Sequence, residues 1–459
     1  MIDKYRRMMT LAAGMSAAIR GPVIGPEDDR YAHARRSFNA MIDSSPALIV
    51  RPVDDADIAA AVLFARAEGH PVSVRGGGHS VAGHCVGEGS VVIDLRLHRE
   101  VVVDAARRSV TVGGGACWND VDAPTQAERL AMPGGTYGDT GIAGLALTGG
   151  IGHLIGAYGL TLDNITAARV ITSDGRVVLA DAEREPDLFW ALRGGGGNFG
   201  VVSEFQFALH PVHAMTGGVI LHRLHDAPQA LRVFRDMRTV MPDRLTLMPS
   251  LTALDSFGGQ GIGLLTAVAF IGPPDEARDL LSDLRAVGPP VLDTVGFIRY
   301  HQVQGLYGYS PFGLRHYWTS RFVDDLPDDL IDFLVAAASE AMPGAGAGLE
   351  ILFEPMHGAA SRVPVDATAF PFRSARFNIS GLSIWDDAAL DEDMIGRARA
   401  VRDRLVPLSR GGYLNYAMDD EQVSVQETFG STRWTRLRAI KSAWDPDNVF
   451  RFNHNIPPA

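Results

Sequence analysis

The residues best equipped for chemistry sit in Arg75-Gly76-Gly77-Gly78-His79-Ser80, where the β-branched run Val72-Ser73-Val74 enters three glycines and a histidine. Three consecutive glycines cost backbone entropy, so such a run points to φ > 0 or a very close approach by another group. Backbone amides in a turn of this kind aim at an anion, typically a phosphate. His79 is the one side chain there with rich chemistry, open to a role as ligand, catalyst, covalent anchor or mere filling. A strand entering glycines recurs at Val110-Thr111-Val112-Gly113-Gly114-Gly115. The densest glycine region runs from Met132-Pro133-Gly134-Gly135 through Thr148-Gly149-Gly150-Ile151-Gly152 to Gly156, and Arg193-Gly194-Gly195-Gly196-Gly197-Asn198-Phe199-Gly200 is a further cluster. Together these turns suit one long ligand lying across several loops, its diphosphate held by main-chain amides. Tight turns at sheet corners are the plainer alternative.

Other glycine devices fit less well. A Rossmann fingerprint needs G-x-G-x-x-G, but Gly150-Ile151-Gly152 is followed by Gly156, one residue too late. No stretch matches a P-loop. His79, His84 and Cys85 match no common zinc spacing, so no metal is expected. Cys85 and Cys117 lie in no Cys-His arrangement and suit buried small hydrophobes.

The elements that must carry these turns are short and mixed. Pro46 to Pro52 reads as a strand, and Asp54 or Asp55 can cap a helix in which Ile58, Ala61, Val62 and Ala65 repeat at helical spacing. Strands follow at Val72–Val74, Val91–Leu95, Val101–Val103, Val110–Val112, Ala168–Thr172, Val177–Leu179 and Val201–Leu209, with helices near Trp118–Arg129 and Asp187–Leu192. Beyond Pro211 the glycine clumping falls away. Residues 1–43 therefore read as an N-terminal arm, 44–212 as a glycine-rich α+β domain, 213–408 as a second domain, and 409–459 as a segment that regains motif-like clusters.

The totals exclude several functions. The formal net charge of −12 argues against a nucleic-acid or anionic-membrane surface. Two cysteines allow at most one disulfide, which excludes a disulfide-stapled secreted scaffold. No apolar run approaches the roughly 20 residues that span a bilayer. A soluble, cytoplasmic protein is expected.

At this point the motifs resemble a known family, the FAD-linked oxidoreductases of the p-cresol methylhydroxylase and vanillyl-alcohol oxidase type. The nearer likeness is to the berberine-bridge-enzyme-like branch. Arg75-Gly76-Gly77-Gly78-His79-Ser80 looks like that branch's motif for the histidine joined to the flavin 8α-methyl carbon. The likeness continues through Gly113–Gly115, Gly134–Gly152, Tyr158–Asn164 and Arg193–Val202, and resumes at Tyr413–Tyr416 and Trp444–Asn455. Gly144-Leu145-Ala146-Leu147 and the Asp445-Pro446 to Asn455 ending are most similar to bacterial hydroxy-D-nicotine-oxidase-like members.

The resemblance implies an α+β fold, with a two-part FAD-binding domain and a substrate domain whose antiparallel sheet is covered by helices. It implies FAD held by Arg75, Gly76, Gly77, Gly78, His79, Ser80, Gly83, Gly114, Gly134, Gly135, Thr140, Gly141, Ile142, Gly144, Gly149, Gly150, Gly152, Gly200, Val201, Val202, Asn453 and Asn455. Bicovalent relatives carry a second link from a cysteine in G-T-C-P-T. The corresponding run here is Gly135-Thr136-Tyr137-Gly138-Asp139, so one covalent bond, through His79, is implied. Tyr416 is the implied base, Asn415 an orienting residue, and Tyr413 a second candidate base. Tyr300, His301, His316, Tyr317, Trp318 and the run Glu354-Pro355-Met356-His357 are weaker candidates to face the flavin. Ile142 corresponds to the position beside flavin C4a that governs access of dioxygen. The expected activity is oxidation of a C–H next to an O–H or N–H of a small molecule, with dioxygen as acceptor and hydrogen peroxide as product. A dehydrogenase with another acceptor, an oxidative cyclase or tailoring enzyme of secondary metabolism, and a flavoprotein that only binds its ligand are the alternatives. A homodimer is open as an assembly.

Overall fold

The computed structural model describes residues 2–254, 257, 261–307, 312–340, 342, 346–418 and 425–459, with side chains from residue 10 onward. The first sheet takes Val23–Ile24, Leu48–Val50, Val91–Asp94 and Val72–Arg75 in that spatial order. The last three are parallel, and parallel neighbours need a crossover, which the helix Asp55–Ala67 supplies. The Asp54 carboxylate caps this helix by accepting from the Asp57 amide at 3.0 Å, an interaction worth ~1 kcal/mol. Ile58, Ala61, Val62 and Ala65 bury one helical face against Val50, Val72 and Ile93. Val72–Arg75 is the edge strand, so the glycines that follow it are free to leave the sheet.

They run toward a second, antiparallel sheet ordered Val101–Asp104, Ser109–Gly113, Val201–Ala208, Ile165–Ile171, Val177–Asp181. Its apolar face, with Val110, Val112, Phe205 and Phe207, shares a core with Trp118 and Val121 of the helix Trp118–Ala127. The two layers interlock through glycines. A Cβ added at Gly77 would lie 2.4 Å from the Cα of Gly141, a separation no side chain tolerates.

The third sheet is antiparallel throughout the described residues. Its order is Leu292–Asp293, Met215–Arg223, Ile262–Ile271, Leu245–Ala253, Gly348–Pro355, Phe377–Trp385, Arg315–Val323, Ser409–Gly411, with Gly296–Ile298 also paired to Met215–Arg223. Side chains on a strand alternate faces. Along Gly348–Pro355, Leu349, Ile351 and Phe353 pack beneath the helices Ala227–Met237, Asp328–Ser339 and Asp391–Leu405, whereas Glu350, Leu352 and Glu354 point the other way. The chain then returns to the glycine-rich domain through a 3₁₀ turn, Leu414–Tyr416, and the helix Val425–Trp444, which is interrupted at Gly430. This is the expected α+β arrangement. Among the described residues, no helix is long and apolar enough to cross a membrane and no cluster of three or more His, Cys, Asp or Glu could hold a metal ion.

Candidate active site

A cavity of about 270 Å³ opens where the glycine-rich domain, the third sheet and the C-terminal return meet. Of the residues expected to hold a cofactor, Gly76, Gly77, Gly78, His79, Ser80, Gly135, Thr140, Gly141, Gly144, Gly200, Val202 and Asn453 line it. The remainder stand behind its wall. Arg75 is buried and donates to the carbonyls of Ala34 at 2.6 Å and Arg36 at 2.9 Å, tying down the N-terminal arm. Gly83 packs on Ile42, and Gly114 donates to the Ser203 carbonyl at 2.7 Å. Gly134 and Gly152 lie against each other, and Gly149 lies against the Tyr413 ring. Gly150 donates to the Tyr413 hydroxyl at 2.7 Å. Ile142 and Val201 are fully buried, while Ala143 and Gly144 reach the cavity beside Ile142. The Asn455 Oδ1 is buried with no hydrogen-bond partner among the described residues.

His79 is held from several sides. Its ring stacks on Phe38, centroids 4.5 Å apart and planes 23° apart, and meets Phe312 edge-on at 4.9 Å. Its Nε2 faces Asp139 Oδ2 at 3.5 Å. Phe38 comes from the N-terminal arm, more than thirty residues upstream, and only the tertiary fold brings it here.

Across the cavity the Tyr416 hydroxyl donates to Glu354 Oε1 at 3.1 Å, and Asn378 Nδ2 donates to Glu354 Oε2 at 2.6 Å. Burial pushes the Glu354 carboxyl up to about 7, with the bonds from Asn378 and Tyr416 pulling the other way. Burial, and next the nearby Glu354, also raise the Tyr416 hydroxyl well above the usual tyrosine value. Tyr413 is placed differently. Its hydroxyl accepts from the Gly150 amide at 2.7 Å and from Asn415 Nδ2 at 2.8 Å, so its lone pairs are committed to holding the glycine turn. Asn415 in turn meets the Thr148 hydroxyl. Tyr137, Trp318, Leu352 and Leu382 complete the wall on the side of the third sheet.

The weaker candidates separate cleanly. Trp318 packs edge-on against Tyr416 at 5.6 Å. His316 lies behind Phe38, ring centroids 4.2 Å apart, and burial lowers it to about 3. His357 is buried against Gly156 and lowered to about 4, chiefly by burial. The Tyr300 hydroxyl accepts from the Gly134 amide and from Gln304, each at 3.2 Å, and His301 is exposed. Tyr317 packs on the far face of its strand with Trp385 and Met394. Both cysteines are free thiols, and burial pushes Cys117 up to about 11.

The walls fit a flavin dinucleotide. No Lys or Arg is among the described lining residues, so a diphosphate there would rely on main-chain N–H groups of the glycine turns and on neutral polar side chains such as Ser80, Thr140 and Asn198. A Cβ at Gly144 or Gly197 would meet no protein atom within 4 Å, so both glycines leave open space against the cavity. The His79 imidazole and the Tyr416 ring both line that space, and the buried Glu354 accepts the Tyr416 hydroxyl.

Comparison with known proteins agrees. The family model "FAD binding domain" matches residues 46–181, and "Berberine and berberine like" matches residues 412–457. The (R)-6-hydroxynicotine oxidase of Paenarthrobacter nicotinovorans is 30% identical over 462 residues, covering 96% of this chain and 97% of that protein. The crystal structure of 6-hydroxy-D-nicotine oxidase from Arthrobacter nicotinovorans superposes with a TM-score of 0.85 at 28% identity, over 96% of this chain and 98% of that one. Glucooligosaccharide oxidase from Acremonium strictum, a protein described as carrying 6-S-cysteinyl, 8α-N1-histidyl FAD, gives 0.86 at 25% identity over 98% of this chain and 99% of that one. The chain therefore belongs to the FAD-linked oxidoreductases of the p-cresol methylhydroxylase type, in their berberine-bridge-enzyme-like branch.

Proposed function

We propose that the chain is an FAD-dependent oxidase, with FAD joined through His79 alone, that takes a hydride from a C–H next to an O–H or N–H of a small organic substrate. Dioxygen is the electron acceptor and hydrogen peroxide the product. The observation that carries this reading is the hydrogen bond from Tyr416, on the wall of the cavity that His79 also lines, to the buried Glu354. FAD, when bound, supplies the two-electron redox chemistry; the chain supplies orientation, a proton acceptor and electrostatics. A phenol raised above its usual value does not stand ionised at neutral pH, so Tyr416 alone is a poor base. Paired with Glu354 it becomes a relay. Tyr416 takes the substrate's O–H or N–H proton while its own proton passes to Glu354 Oε1, 3.1 Å away. The proton then ends on a carboxylate whose affinity for it matches neutral pH.

Tyr137 stands where bicovalent relatives place a cysteine, which supports a single link. Gly141, Ala143 and Gly144 form a wall of small side chains that leaves room for dioxygen. One relative is named a 6-hydroxynicotine oxidase and another a glucooligosaccharide oxidase, so amines, alcohols and sugars are the first compounds to try. Mixing the protein with such panels under anaerobic conditions should bleach the yellow flavin band with at least one compound, and admitting air should restore the band with release of hydrogen peroxide. A flavin that stays yellow across all three classes would overturn the enzyme reading. Bleaching without peroxide on admission of air would overturn the oxidase.

A further inference from the structure

The contact between His79 and Asp139 is more constrained than a chance surface pairing. His79 Nε2 and Asp139 Oδ2 are both buried, neither has a hydrogen-bond partner among the described residues, and they face each other at 3.5 Å. That separation is beyond a formed hydrogen bond, but such contacts are often long in a ligand-free site and tighten when it is filled. The loops that carry the two residues cannot drift apart. The backbones of Gly77 and Gly141 touch, Cys117 and Gly141 form a β-bridge, and the Gly138 carbonyl accepts from the Asn119 amide at 2.7 Å. The His79 ring is itself fixed, stacked on Phe38 and flanked by Phe312.

An imidazole can act as a nucleophile only through the nitrogen that lacks a proton. A carboxylate opposite Nε2 favours the tautomer with hydrogen on Nε2 and leaves the lone pair on Nδ1. We infer that Asp139 is a positioning residue for formation of the flavin link. It accepts the Nε2–H of His79, presents Nδ1 to the flavin 8α carbon, and stabilises the positive charge the ring gains as it attacks. This rests on the covalent link proposed above. The Nδ1–C8α bond forms, a proton leaves C8α, and the electron pair of the broken C–H bond stays on the flavin ring. The ring nitrogen then releases its remaining proton, and dioxygen removes the electron pair as hydrogen peroxide.

The test uses the full chain made in riboflavin-starved cells and mixed with FAD in air. The fraction of flavin that stays with acid-precipitated protein is followed against time, and reversible uptake of FAD is followed by quenching of its fluorescence. Asp139→Asn keeps the shape and loses the charge. It should take up FAD and form the link roughly 10- to 100-fold more slowly than the wild type, the range for losing one hydrogen bond to a charged group. Linkage at the wild-type rate would overturn the inference. Should Asp139→Asn fail to take up FAD, the ¹⁵N spectrum of the flavin-free wild type decides: hydrogen on Nε2 of His79 supports the inference, and hydrogen on Nδ1 overturns it. A wild type that releases all its flavin into acid is a separate outcome, which removes the covalent link itself and this inference with it.

Discussion

Replacing Glu354 by glutamine removes a charge at nearly constant shape, and the structure sets what should follow. Burial raises this carboxyl from 4.5 to about 7, which at about 1.4 kcal/mol per pH unit corresponds to ~3 kcal/mol. Because the folded value lies above the unfolded one, the folded state holds the proton more tightly. The stability this gives is fully present below pH 4.5 and is lost as pH rises through about 7. Glu354→Gln has no such slope. Guanidinium unfolding of both proteins at several pH values should show the variant gaining ~3 kcal/mol on the wild type between pH 4.5 and pH 8. Activity should move in the opposite direction. In the wild type, kcat/KM should rise through pH 7 as Glu354 ionises, whereas the variant should lose that limb and fall ~10²- to 10⁴-fold, the usual contribution of a proton-transfer partner. A variant that keeps both the wild-type rate and the limb near pH 7 would refute the relay.

Two further substitutions on the cavity wall differ in what the added methyl group meets. Gly141→Ala puts a Cβ 2.4 Å from the Gly77 amide nitrogen and should lower stability by ~1–3 kcal/mol, whereas Gly144→Ala, inside the helix Ile142–Thr148, meets no protein atom and should leave the flavin-free melting temperature equal or slightly raised while weakening FAD uptake. Thermal melting and fluorescence titration with FAD check both. Lys441→Met should cost ~3–5 kcal/mol in chemical unfolding, because Asp445 stays buried while the Lys441 Nζ that reaches Asp445 Oδ2 and the Asn198 carbonyl, each at 2.7 Å, is gone.

The parts of the site that one short stretch can encode were legible in the sequence. Strand Val72–Arg75 followed by three glycines announces a close approach, and Gly77 against Gly141 is that approach. The antiparallel sheet under helices followed from the resemblance. Which glycines face the ligand was less legible: Gly144 opens on the cavity, whereas Gly149 and Gly152 serve backbone and ring packing, and composition treats all three alike. Glu354 was one residue in a run of candidates. Its pairing with Tyr416 depends on a strand register and a chain return 62 positions later, which no local pattern carries. Phe38 and Asp139 were invisible as partners of His79 for the same reason, since an arm and two loops must meet before either touches the ring.

On this reading a flavin is held in the cavity by one bond, to His79. That bond is tested most directly by digesting the acid-denatured wild-type protein and sequencing every flavin-bearing peptide by mass spectrometry. A single flavin peptide is expected, with the modification on His79 and none on Tyr137, Cys85 or Cys117. Flavin recovered entirely free, or attached to any residue other than His79, would contradict it.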